Sequence, residues 1–310
     1  MNYSNRENYE IPSYRNEFSK TLSSPKFKDA PIQLSCIETT SGNISFLKTN
    51  SCSKYTLIFI HGNSSSSAAF LHQLKYFGSN YDVYAFDLPG HGLSDNAKNP
   101  KATYTFSGYA GIVSEIVRRL DLKNIILIGW SLGGHIALDF AKKNVKELAG
   151  MILSGTPPIS HSSVGIQAGF LTNGVSPQKN LTGYGKPFTN KQTEDFLENS
   201  DIKSGEIEIF RKAARRTHSI ARSIMYESVL HGGKNDDERV HLTKLLTPLG
   251  VILNRKDKLV NLGYIQSLSY NPETFIGFSY IDEGHASFWE KPDEANNIIE
   301  NYIVKFGIKN

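Results

Sequence analysis

The sequence predicts an α/β fold, a mostly parallel central sheet with helices on both faces, and three observations predict it. Short β-rich runs that are apolar on both faces recur along the chain. Segments with a one-sided apolar pattern separate them, and a long helical stretch interrupts the alternation once. The runs are residues 55–60 (YTLIFI), 83–86 (VYAF), 125–128 (IILI), 151–153 (MIL) and 251–253 (VIL). Ahead of them, QLSCIETT and NISFLKT flank Ser41-Gly42-Asn43 and read as a hairpin. Between the runs, Ile112, Ile116, Val117 and Leu120 share one helical stripe, and residues 136–141 continue a helix from a Gly-rich turn. The last helix is expected near residues 296–304.

The alternation stops after Leu153. From Ser154-Gly155-Thr156-Pro157-Pro158 to about Thr247 the chain lacks strand-like runs. Phe210, Ala213, Ala214, Thr217, Ile220, Ala221, Ile224 and Met225 make one apolar helical face, and residues 232–237 read as a loop. The expected organisation is a polar N-terminal extension (1–30) with no clear periodicity, a core (31–158 and 246–310) and a helical cap (159–245).

Composition narrows the function classes. The chain has 310 residues with 34 basic and 30 acidic side chains; a net charge of +4 on this size says little about partners, but nucleic-acid binders usually concentrate far more charge on one face, and no nucleic acid is expected. No apolar run reaches the ~18 residues of a membrane span, and the first thirty residues hold no apolar signal core. Cys36 and Cys52 are expected as free thiols, and the expected location is cytoplasmic. No HExxH, CxxC, Walker A or G-x-G-x-x-G segment occurs, so no cofactor or metal is expected. The basic run RKAARR (211–216) fits the solvated outer face of a cap helix, and Asp236-Asp237-Glu238 fits a loop acid run.

The sharpest chemical signal is Gly129-Trp130-Ser131-Leu132-Gly133, a G-x-S-x-G motif between a strand-like run and a helix. Glycines two residues either side allow a tight turn that lifts the Ser131 hydroxyl above the sheet and aims a helix N-terminus at what it attacks. A serine hydroxyl is a weak nucleophile and needs a base, which needs an orienting acid. In this architecture the chain order is Ser, acid, His. Asp257 follows the strand VIL, and His285 follows FIGFSYI in a Gly-His loop; of nine histidines it alone has that position and context. His61-Gly62-Asn63 follows YTLIFI, where a glycine lets backbone pass close to the nucleophile. The N–H groups of Asn63 and Leu132 are then the oxyanion donors. Ser66 or Ser67 is expected to cap the next helix, while His61 and His91 are expected to be structural.

HGNSSSS, FDLPGHGLSD, GWSLGGHIAL, SGTPP and DEGHASFW together resemble the α/β-hydrolase superfamily over about residues 33–310, apart from the cap. Within it the chain is most similar to small bacterial serine esterases and to N-acyl homoserine lactone lactonases, with ARSIMYESVLHGGKNDDERV adding to the second likeness. The resemblance implies an α/β-hydrolase fold, the triad Ser131, Asp257 and His285, and oxyanion amides at Asn63 and Leu132. It places substrate choice in the cap, where Phe196, Phe210, Met225 and Tyr226, with Trp130 below them, are candidate pocket residues. The expected activity is hydrolysis of a small carboxylic ester or lactone through an acyl-enzyme. Carbon–carbon bond hydrolysis, peracid formation and amide cleavage use the same triad, and a ligand receptor on a hydrolase scaffold is the reading from a different class.

Overall fold

The computed structural model describes residues 3–143, 146–171, 185–203, 205–232 and 236–308, with backbone only for 3–9. Its strands are β1 Gln33–Thr39, β2 Gly42–Lys48, β3 Thr56–Ile60, β4 Asp82–Phe86, β5 Ile125–Trp130, β6 Leu148–Ser154, β7 Leu249–Asn254 and β8 Phe275–Ile281. They form one eight-stranded sheet in the order β1-β2-β4-β3-β5-β6-β7-β8. The expected hairpin, β1 with β2, is antiparallel and joins β4 antiparallel; every other neighbouring pair is parallel.

The doubly apolar runs lie where both faces are covered, and every residue of β3, β5 and β7 is buried. The two-residue period divides them between two cores. Ile58, Ile60, Leu127, Met151 and Leu253 face one cluster, and Leu57, Phe59, Ile126, Ile128 and Ile152 face the other. Helices α4 (Phe106–Arg119) and α5 (Leu132–Ala141) pack on the first face; α2 (Leu71–Phe77) and the last helix (Pro292–Lys305) pack on the second. The short α3 (Pro100–Thr103) precedes α4.

Residues 1–30 depart from the expected aperiodic extension. They contain α1, Tyr3–Leu22, which seats Tyr14, Phe18 and Thr21 inward at i, i+4 and i+7. This apolar stripe is too sparse, in a polar segment carrying Pro12, to stand out in composition.

Between β6 and β7 lie α6 (Ser163–Gly169), α7 (Asn190–Asn199), α8 (Ile207–Arg216), α9 (Ser219–Leu230) and α10 (Glu238–Leu242). After β7 come α11 (Leu262–Ser267), α12 (Ser287–Glu290) and α13 (Pro292–Lys305). The expected continuous apolar face from Phe210 to Met225 is split. Thr217 and His218 leave the helical region because the His218 N–H donates to Gly90 O (2.8 Å) instead of continuing the helix. Ile220 consequently faces solvent. Of the loop expected at 232–237, residues 233–235 lie outside the described residues.

Two charged groups also depart from the solvated roles expected of them. Arg216, the last of RKAARR, is buried and donates to the carbonyls of Ser94 and Gly90 and to Asn96 Oδ1. Its neighbours Arg211 and Arg215 pair with Glu194 and Glu10, and Lys212 donates to Ser13 Oγ. Glu238 is fully buried at the start of α10: it accepts from His135 Nδ1 on α5 (2.9 Å) and from the Ile159 N–H (2.8 Å). The insertion is thus tied to the helix that follows Ser131.

Glu238→Ala strands two buried donors at ~1–3 kcal/mol each, so urea denaturation should show a loss of about 3 kcal/mol. Glu238→Gln keeps an acceptor for both and should lose less.

Candidate active site

Ser131 stands between β5 and α5 with φ 55° and ψ −116°, a left-handed backbone rare for a residue with a side chain. Its surroundings hold it there. The Ser131 N–H donates to Ser154 O (2.9 Å), and its carbonyl accepts from the Gly134 N–H and from Thr156 Oγ1 (2.9 Å each). The flanking glycines are a steric requirement. A Cβ on Gly133 would stand 2.0 Å from Ile60 O, and one on Gly129 would stand 2.4 Å from Gly133 O.

The structure brings Asp257 and His285 into direct contact: His285 Nδ1 donates to Asp257 Oδ2 at 2.7 Å, with both side chains buried. Asp257 follows β7, and its other oxygen accepts the N–H groups of Leu259 (2.9 Å) and Val260 (3.1 Å), which fixes the carboxylate plane. His285 follows β8. Its carbonyl accepts from Trp130 Nε1 (2.9 Å) and Asn254 Nδ2 (3.5 Å), so its backbone is tied to the residue before Ser131. The imidazole lies against the Gly155 turn, where φ is +58° and a Cβ would stand 2.8 Å from His285 Cε1. Ser154, the last residue of β6, thus holds the Ser131 backbone, and Gly155 after it packs on the His285 ring.

The loop after β3 supplies the opposite wall. Gly62 passes so close that a Cβ there would be 3.2 Å from the Ser131 Cβ. Asn63 follows it, and Leu132 opens α5 directly after Ser131. Ser66 takes the N-cap position of the next turn, Ser67–Phe70, without a side-chain capping bond; Asp87 Oδ1 instead accepts the Ser67 N–H from across the fold (2.7 Å). His61 accepts the Leu88 N–H at Nε2 (3.1 Å), leaving Nδ1 to donate to Gly62 O (2.7 Å), so it clamps this loop to the turn after β4. His91 packs on its ring at a centroid distance of 5.1 Å.

The candidate pocket residues occupy different settings. Trp130 is buried beneath His285, with ring centroids 5.6 Å apart. Phe210 is buried edge-on against Trp289 (4.9 Å), in the core on the far side of the sheet from α5. Phe196 is half-buried beside Phe188, while Met225 and Tyr226 pack with the cluster that contains Leu132. A depression of about 830 Å³ is lined by Arg118, Asp121, Asn124 and Glu147 at the opposite ends of the strands from Ser131. Among the described residues no group of three or more His, Cys, Asp or Glu side chains gathers as a metal site, and no helix is long and apolar enough to cross a membrane.

Sequence reasoning missed Arg222, a fully buried arginine on α9 whose Nε donates to Ser64 Oγ beside Asn63 (2.7 Å). The available signal was an arginine directly after Ala221 and three before Met225, on an otherwise apolar face.

A strand–serine–helix elbow in a mostly parallel sheet, with an Asp–His pair from the last two strand ends, defines an α/β hydrolase. The family model for the alpha/beta hydrolase fold matches residues 55–292, and the chain belongs to that family. It is 28% identical to the N-acyl homoserine lactonase AidH, solved in complex with N-butanoyl homoserine, with a TM-score of 0.79 over 88% of this chain and 97% of that one. It is 27% identical over 264 residues to the pimeloyl-[acyl-carrier protein] methyl ester esterase of Wigglesworthia glossinidia brevipalpis, covering 81% of this chain and 94% of that protein. A match to the hydrolase YugF of Bacillus subtilis is 22% identical over 280 residues, covering 82% of this chain and 90% of that one.

Burial pushes the His61 imidazole down from 6.5 to about 4, and His72 moves to about 4 through burial and the nearby Lys26 and Lys75. A base lowered in the fold contributes stability that is complete above its unfolded value and is lost as pH falls from about 6.5 to about 4. For His61 that loss is about 3 kcal/mol. Urea midpoints should fall between pH 7 and pH 4.5, and a His61→Asn variant, weaker at neutral pH, should show a shallower slope.

Proposed function

We propose that the protein hydrolyses a carboxylic ester or lactone of a small molecule, with Ser131 as nucleophile, His285 as base and Asp257 as orienting acid. The observation that carries this reading is the 2.7 Å bond from His285 Nδ1 to a buried Asp257, on a histidine whose backbone is tied to the residue before Ser131. With Nδ1 committed to Asp257, the tautomer leaves Nε2 able to accept the Ser131 proton. The hydroxyl oxygen attacks the carbonyl carbon, and the N–H groups of Asn63 and Leu132 stabilise the resulting oxyanion. His285 returns its proton to the leaving alkoxide as the acyl-enzyme forms. The same imidazole then takes a proton from water, whose oxygen attacks the acyl carbon, and protonates Ser131 as the acid departs. In a lactone the alkoxide stays attached to the acyl chain and the product is a hydroxy acid. The insertion between β6 and β7 acts as a cap over Ser131 and chooses the acyl chain, with Trp130 and Tyr226 among its candidate lining. N-acyl homoserine lactones are the substrates to test first, on the likeness to a lactonase at 28% identity over nearly its whole length.

Ser131→Ala should fold normally and lose ~10⁶-fold in turnover of p-nitrophenyl butyrate or N-hexanoyl homoserine lactone. Turnover equal to wild type on either compound would sink the mechanism. Asp257→Asn should cost ~10⁴-fold by presenting the wrong tautomer. The wild-type rate should fall on acidification, because a protonated imidazole cannot accept the serine proton. Each substrate class releases one acid per turnover, which pH-stat follows, and mass spectrometry of the products separates them: a lactone yields a single hydroxy acid heavier by one water, an ester an acid and a separate alcohol.

A further inference from the structure

The cap helix α9 sends a guanidinium to the loop beside Ser131. Arg222 is fully buried, and its Nε donates to Ser64 Oγ at 2.7 Å. Its Nη2 donates to Ala214 O in the last turn of α8, and the guanidinium lies 3.8 Å from the centroid of the Phe188 ring. The arginine is therefore held on two sides by the cap and meets the core at the Ser64 hydroxyl. Ser64 is itself buried and has φ +58°, a left-handed conformation that a residue with a side chain keeps only where its surroundings enforce it. Having accepted from Arg222, Ser64 Oγ donates its single proton to Asn63 Oδ1 (3.3 Å). The hydrogen-bonded series thus runs from α9 through Ser64 to Asn63, three residues beyond the end of β3 and next to Gly62, which lies against Ser131.

An oxyanion donor is effective only when it points at the oxygen before that oxygen carries charge. The loop 62–64 has little regular structure to fix it: His61 clamps its start to the turn after β4, and its far side is held by Arg222. We infer that Arg222 is a positioning residue, acting through Ser64 to hold the Asn63 amide in the geometry the tetrahedral intermediate needs. Seating α9 on the core and assembling the oxyanion site are then one event. This inference rests on the serine-hydrolase reading above and adds to it a residue outside the triad.

The test uses the full-length protein and p-nitrophenyl butyrate, with a short-chain alkyl boronic acid as a mimic of the tetrahedral intermediate. Ser64→Gly removes the hydroxyl while suiting the left-handed backbone; Arg222→Met removes the donors at similar length, and Arg222→Lys retains the charge. Ser64→Gly and Arg222→Met should each lower kcat by ~10–10²-fold with KM nearly unchanged, the size expected when a reacting group is slightly misplaced. Boronate affinity should fall by a similar factor, and Arg222→Lys should recover part of the loss. Because both residues act in one series, the double variant should be no worse than the poorer single one.

Folded variants with unchanged kcat, a loss confined to KM, or additive losses in the double variant would each overturn the inference. Should Arg222→Met fail to fold, Ser64→Gly decides alone, since it leaves the cap arginine in place. Wild-type protein that neither turns over esters nor is labelled at Ser131 by a fluorophosphonate defeats the hydrolase reading and this inference together. An active, labelled wild type with unaffected variants defeats only the inference.

Discussion

The left-handed backbone of Ser131 is the constraint on which the site end of the molecule depends. A residue with a side chain does not rest there unaided, and three hydrogen bonds from neighbouring backbone and Thr156 fix it. That geometry in turn demands bare backbone at Gly129 and Gly133, because α5 must press against the end of β3 to within the space of a missing Cβ. Gly62 and Gly155 extend the same demand outward, one against the serine and the other against the His285 ring. Close approach of several backbones, rather than any one side chain, sets where the hydroxyl stands.

Around this centre the polar groups that matter are buried and come from distant segments. Trp130, Asn254 and Asp257 hold His285 from two other strand ends, so the histidine loop has little freedom of its own. The insertion between β6 and β7 is fastened by buried charges instead of by apolar area alone. Arg216 holds the turn after β4, Glu238 holds α5, and Arg222 holds the loop after β3. Asp201 adds a fourth fastening, packed so tightly on Gly284 that a Cβ there would stand 2.1 Å from its carboxylate oxygen. A buried charged group left without its partner is costly, so these contacts favour one seating of the insertion over others.

The N-terminal helix extends the same pattern to the outside. Tyr14 and Phe18 enter the core that also contains Phe59 and Trp130, while Glu10 and Ser13 bind Arg215 and Lys212 of α8. It bridges the sheet and the insertion, and residues that look like a solvated basic patch in RKAARR are partly consumed in that bridge.

From the sequence alone came the alternation of strands and helices, the hairpin, the elbow around Ser131 and the identities of Asp257 and His285 as its candidate partners. These are legible because each is local: doubly apolar runs, a glycine spacing around one serine, and loops that directly follow strands. Only the tertiary structure decided the helix at 3–22, the break at Thr217-His218, the burial of Arg216, Arg222 and Glu238, and the replacement of a serine cap by Asp87. Each of these depends on a partner far away in the chain, and a charged side chain carries no local mark of whether it will meet water or a buried acceptor. Periodicity reads the face an element turns inward; it cannot read what waits there.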